Sequence, residues 1–181
     1  MREEIGMDRK INIIEDLDGK KIVVINDIRF KGKDKFEWKE VEEMLKEYVG
    51  EHQEIIDTCE VVYIGKDFPD EYVHGKDKTV LRGPNLKAKA NASLAVKELI
   101  SIASNKSDIS IDYNKKHGKK AQNGWYRYDT RLALPVYDND NDLIRYNIYK
   151  LRMLVRSEET GKLFIYDFLR TKKEKETNSP L

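Results

Sequence analysis

Residues 115–131 gather side chains able to do phosphate chemistry. Lys115, Lys116, His117, Lys119 and Lys120 precede Gly124-Trp125-Tyr126-Arg127-Tyr128-Asp129-Thr130-Arg131. Along an extended strand alternate side chains share a face, which sets Trp125, Arg127, Asp129 and Arg131 on one side. Tyr126, Tyr128, Leu132, Leu134 and Val136 fall on the other. The first set mixes aromatic and cationic groups, the types that stack on bases and contact phosphates. A following run adds Lys150, Arg152 and Arg156, interleaved with Leu151, Met153 and Val155. The plainer alternative is the exposed side of a half-solvated sheet, with Arg127 and Asp129 in surface pairs that contribute little.

Cleaving RNA without a metal requires a group to take the ribose 2′-proton, a group to protonate the leaving oxygen, and cations for the phosphate. Histidine suits the proton transfers, because its pKa lies near working pH. Lysine or arginine suits the charge that builds on the non-bridging oxygens. The residues of these types are His117, His74, Arg127, Arg131 and Lys150, with Thr177 and Ser179 as late hydroxyls. His74 and His117 also fit a plainer role as polar loop residues.

Other chemistries have less support. His52, His74 and His117 lie far apart along the chain, and Cys59 is the one cysteine, so no metal site and no disulfide framework is expected. The run Asp138-Asn139-Asp140-Asn141-Asp142 lacks the glycine and closing glutamate of a calcium loop and reads as a solvated turn. No phosphate-cradling glycine loop or serine elbow occurs, and no cofactor is expected.

The chain of 181 residues suits one domain and carries 34 basic and 33 acidic side chains. Their distribution is uneven. Residues 1–57 hold 11 basic against 16 acidic groups, whereas residues 115–181 hold 15 against 9. A basic rear half is suited to presenting a face to a polyanion. No run approaches the roughly 18 apolar residues of a membrane span, and no secretory signal is visible. The expectation is a cytoplasmic globular protein with no membrane partner.

These residues must be positioned by local elements. Ile11–Ile14, Asp18-Gly19 and Lys21–Ile25 read as a hairpin. Trp38, Val41, Leu45, Tyr48 and Val49 recur at helical spacing, which predicts a helix over 36–49. Residues 60–65 read as a short strand, and the following twenty, rich in Pro and Gly, as a long ordered loop. A second helix is expected from Asn85, with Ala88, Ala92, Ala95, Leu99 and Ile102 on one stripe. Strands are expected at 124–137, 143–156 and 162–172, separated by turn-like segments. Helices followed by a meander make an α+β fold: an N-terminal hairpin and helices packed on a C-terminal antiparallel sheet of about four strands. Residues 1–19 are read as an N-terminal extension, continuous with the hairpin, and 20–181 as a single domain.

The segments YIGKDFPDEY, KAKANASLAVKELISIASN, KKHGKKAQNGWYRYDTRLALPVYD, YNIYKLRMLVR and GKLFIYDFLRTKKEKETNSP resemble a family of phage and integrative-element domains, often attached to polyvalent proteins. The family belongs to the barnase–EndoU–colicin–RelE-like nuclease superfamily, and the resemblance spans residues 20–181. It implies helices on a four-stranded antiparallel sheet. It also implies metal-independent endoribonuclease activity by 2′-hydroxyl transesterification in the cytoplasm of a bacterial host. Carried over by position, His117 is the acid or base, Arg127 and Arg131 hold the phosphate, and Thr177 or Ser179 bonds the substrate. Trp125 or Tyr126 stacks a base, while Lys119, Lys120, Lys150 and His74 complete the RNA contact. The loop at Val73-His74-Gly75-Lys76 and Asn178 in the closing motif depart from the family pattern.

A second reading is a non-catalytic anti-defence protein, for example of anti-CRISPR type, that binds a host defence protein or its RNA. There the acidic first 57 residues mimic nucleic acid. A third is a toxin-like effector held by an immunity partner.

Overall fold

The computed structural model describes residues 10–31, 35–109 and 124–178. The chain builds on a hairpin of β1 (Ile11–Glu15) and β2 (Lys21–Ile25), paired antiparallel with Ile13 opposite Val23. Its turn is closed by the Asp16 carboxylate, which accepts the backbone N–H groups of Asp18 and Lys20 at 2.9 Å. Gly19 supplies the positive φ of +78° that this turn needs.

After α1 (Trp38–Lys46) come the short strands β3 (His52–Glu54) and β4 (Val61–Tyr63). Four helices follow: α2 (Phe68–His74), α3 (Lys76–Val80), α4 (Gly83–Ala92) and α5 (Val96–Ser101). The chain then enters β5 (Ser104–Ile109) and the three long strands β6 (Trp125–Tyr137), β7 (Leu143–Ser157) and β8 (Leu163–Thr177). The two turns of this meander repeat the opening device, with Asp138 accepting from Asp140 and Asp142 at 2.9 Å and Gly161 at a φ of +86°.

All eight strands join one sheet in the order β1-β2-β6-β7-β8-β4-β3, with β5 lying against the first half of β6. The expected four-stranded antiparallel sheet under N-terminal helices is therefore corrected. The molecule is mostly sheet, 42% strand against 25% helix, and the sheet is mixed and curled into a half-barrel. Two pairings are parallel, β2 with β6 (Val23 opposite Leu132) and β4 with β8 (Val62 opposite Leu163). Each joins segments about a hundred residues apart, so no local alternation announces it. β3 (HQE) and β5 (SNKSDI) lack any apolar alternation and take their conformation from their neighbours.

The segment expected as a long loop contains α2 and α3. Pro69 and Pro84 fall in the first turns of α2 and α4, where a missing N–H costs nothing. The single helix expected from Asn85 is two, broken near Ala95 (φ −135°, ψ 37°). Its stripe is buried all the same, with Ala88, Ala92, Ala95 and Leu99 fully enclosed. The main core joins one face of the sheet (Tyr128, Leu132, Leu151, Met153) to Val41, Leu45, Phe68 and Leu99 of the helices. Among the described residues no helix is long and apolar enough to cross a membrane.

Candidate nucleic-acid interface

Helices cover the face of β6 that carries Tyr128 and Thr130, the latter donating its hydroxyl to the Leu99 carbonyl at 2.8 Å. Residues alternating with these lie on the opposite face. Toward the β1–β2 side that face closes over a small apolar cluster of Ile22, Val24, Ala133, Tyr146 and Ile148. Farther along it becomes charged. Arg131 lies opposite Lys150, which lies opposite Lys172; Asp129 lies opposite Arg152; Arg127 lies opposite Leu154.

Arg127, Arg152 and Arg170 gather here. The register of β7 against β8 slips between Lys150 and Arg152, where two residues of β7 face three of β8. Arg170 occupies this bulge at a φ of +54°, and its N–H is held by the Asp77 carboxylate at 2.9 Å. Bulges re-aim side chains in this manner. Burial, followed by the nearby Arg170 and Arg152 charges, holds the Arg127 guanidinium below its ordinary pKa. Its Nε is enclosed and lacks a hydrogen-bond partner among the described residues. No described carboxylate forms an ion pair with any of the three. A cluster of like charges with an unsatisfied buried donor is the electrostatic complement of an anion.

Arg131, expected to hold phosphate, is engaged otherwise. Its Nη1 lies 2.7 Å from Asp16 Oδ2 and its Nε 3.2 Å from Glu174 Oε1. The hydrogen bond from Arg131, with those from the turn backbone, holds the Asp16 carboxyl down to about 2. This clamp sits where β5 ends its pairing at Asp129 and β2 begins at Leu132, leaving a notch along β6. The notch is a cleft of about 600 Å³ lined by acidic (Asp16, Asp57, Asp129) and basic (Lys20, Lys150, Lys175) groups together.

The remaining expected residues do not converge. Trp125 is buried, edge-on to Tyr166 with ring centroids 5.0 Å apart, and is not free to stack a base. Tyr126 lies on the helix side, under the Lys106 ammonium at 4.2 Å. Lys150 is half-exposed on the charged face, 3.8 Å from Asp129. Thr177 lies opposite Tyr146, eight residues along β7 from the partner of Arg127, or about 26 Å at strand rise. His74 ends α2 in the helix layer, beyond the sheet from Arg127, with its Nε2 3.5 Å from Glu42. His117, Lys119, Lys120 and Ser179 lie outside the described residues.

Two features were missed. Arg170 completes the cationic cluster with Arg127 and Arg152, both already set among the cations of β6 and β7 by alternation, and it depends on a bulge that no pattern marks. Lys89 is fully enclosed, with Nζ 2.8 Å from Asp77 Oδ2 and 3.0 Å from Asp167 Oδ1. It also donates to the Phe168 carbonyl at 3.1 Å and lies 4.7 Å from the Tyr72 ring centroid. Burial pushes the Asp167 carboxyl up to about 7 against the pull of Lys89. This network ties α3 and α4 to β8 and so braces the strand that presents Arg170.

No protein-family model, curated protein or solved structure matches the chain.

Proposed function

We propose that the protein binds RNA along the charged face of β6, β7 and β8, with the backbone phosphates seated on Arg127, Arg152 and Arg170. The observation that carries this reading is the gathering of three guanidinium groups without a described counterion, one with an enclosed and unsatisfied Nε. Arginine forks match phosphate oxygens in pairs, and a partly enclosed site strengthens each contact. Lys150 and Lys172 extend the face for neighbouring phosphates.

Metal-independent cleavage is the further step in this reading, with Arg127 supporting the pentacoordinate phosphate and His117 transferring the proton. Arg131 has no part in it, being engaged by Asp16 and Glu174. Labelled total RNA incubated in excess EDTA with the full chain and with His117→Ala tests the step. Cleavage by the wild type alone, leaving 2′,3′-cyclic phosphate ends, is expected of a nuclease. RNA retained intact by both proteins leaves a binding protein, and failure of the wild type to retain RNA at all contradicts the reading.

A further inference from the structure

The helix layer carries a second constellation, remote from the charged sheet face. Asp70 and His74 stand four residues apart on α2, so both project from one side of the helix. Glu42 of α1 meets them there. The His74 Nε2 lies 3.5 Å from Glu42 Oε1 and 3.9 Å from Asp70 Oδ1, and one ligand atom from each of the three falls within 4.8 Å of the others. Three donors bound to one tetrahedral zinc lie about 3.3 Å apart, given bonds of about 2.0–2.1 Å. The His74 contacts need to contract by about 0.2 and 0.6 Å and no separation exceeds 4.8 Å, adjustments that torsions of side chains at a helix surface can make.

The charge balance points the same way. Among the described residues, neither Glu42 nor Asp70 lies within ion-pair distance of a lysine or arginine, and the group between them is the His74 imidazole. Two carboxylates thus converge on one nitrogen donor, and the Lys46 ammonium that acts on Glu42 is itself bonded to Glu43. The acidic groups that do find cations on α1, Glu40 with Arg29 and Glu43 with Lys46, point elsewhere. Histidine spacing along the chain argued against a metal because it considered histidines alone. The carboxylate partners come from the same helix and from a neighbouring one.

The geometry points to a divalent transition-metal site formed by Glu42, Asp70 and His74, with a donor set of one nitrogen and two oxygens. That set suits zinc, whereas magnesium prefers oxygen ligands throughout. Three protein ligands leave the fourth tetrahedral position to water, and the ion fastens α1 to α2. The site is independent of the RNA-binding reading, lying on the other side of the sheet.

The test is calorimetric titration of the chelator-stripped full chain with zinc chloride, with magnesium chloride as comparison. Saturable binding of one zinc ion is expected, without comparable magnesium binding. Loss of a second-sphere partner alone weakens metal sites about 10–100-fold. His74→Ala and Glu42→Gln, which remove direct ligands, are each expected to weaken zinc binding by at least that much, with circular dichroism verifying the fold. Asp70→Asn serves where either variant fails to fold. Binding retained by His74→Ala but lost in His52→Ala or His117→Ala places the ion elsewhere and overturns the assignment. So does the absence of saturable zinc binding by the wild type.

Discussion

Arg131 and Asp16, 115 residues apart in the chain, meet at 2.7 Å and pin the turn of the first hairpin to the middle of the sheet. Sequence spacing set Arg131 beside Arg127 as a second phosphate ligand. Folding gives the two arginines different roles, because one finds carboxylates and the other finds arginines.

Replacing Arg131 separates these roles. In the wild type the Asp16 carboxyl, at about 2, lies below its unfolded value near 4. The stability from this clamp is present above pH 4 and is lost as the pH falls through 2. In Arg131→Ala the Asp16 carboxyl is expected to rise toward the unfolded value while the turn N–H groups of Asp18 and Lys20 still hold it below, read by NMR of the side-chain carboxyl carbon. RNA affinity is expected to fall less than in Arg127→Ala.

The buried cation offers a stability test. Lys89→Met leaves Asp77 and Asp167 facing each other without their ammonium, a change expected to cost about 3–5 kcal/mol. Urea denaturation measures it. Adding Asp77→Asn and Asp167→Asn to the same chain removes the stranded charges and is expected to restore the greater part of the loss.

Asp167 sets an opposite pH dependence from Asp16. Its folded value of about 7 lies above the unfolded value near 4, so between these limits the folded chain binds a proton that the unfolded chain lacks. Stability from this group therefore rises as the pH is lowered from 7 to 4 and falls as it is raised. Urea midpoints across this range are expected to show the trend, and Asp167→Asn to flatten it.

Asn91 joins the N-terminal segment to α4. Its Oδ1 accepts from the backbone N–H of Arg29 and Phe30, and its Nδ2 donates to the Phe30 and Lys87 carbonyls. Asn91→Ala strands enclosed backbone groups, at about 1–3 kcal/mol for a single unsatisfied group. A thermal melt reads the loss.

The long strands were legible because alternation is a local property: Trp125–Tyr137 and Leu143–Ser157 interleave core and outward side chains, and the turns between them carry Asp, Asn and Gly. Helix α1 was legible for the same reason at period 3.6. The parallel pairings of β2 and β4 were hidden, because each partner lies about a hundred residues away and leaves no periodic trace. Helix α2 was masked by Pro69, which marks its first turn, so a residue that argues for a break also argues for a beginning. In the candidate site, Arg127 and Lys150 were legible as an outward, cationic set. The engagement of Arg131 was not, since Asp16 and Glu174 reach it only through the sheet order, and Arg170 enters only through the bulge of β8.

The salt dependence of binding to a fluorescein-labelled single-stranded RNA, in EDTA, tests the central claim most directly. It is measured for the wild type and for Arg127→Ala, Arg152→Ala and Arg131→Ala. Each phosphate contact on a single strand contributes about 0.7 to the slope of log affinity against log salt. Slopes shallower by about that amount in Arg127→Ala and Arg152→Ala, with the Arg131→Ala slope close to wild type, are the expected result. Equal slopes in all four proteins would contradict the assignment of this face to RNA.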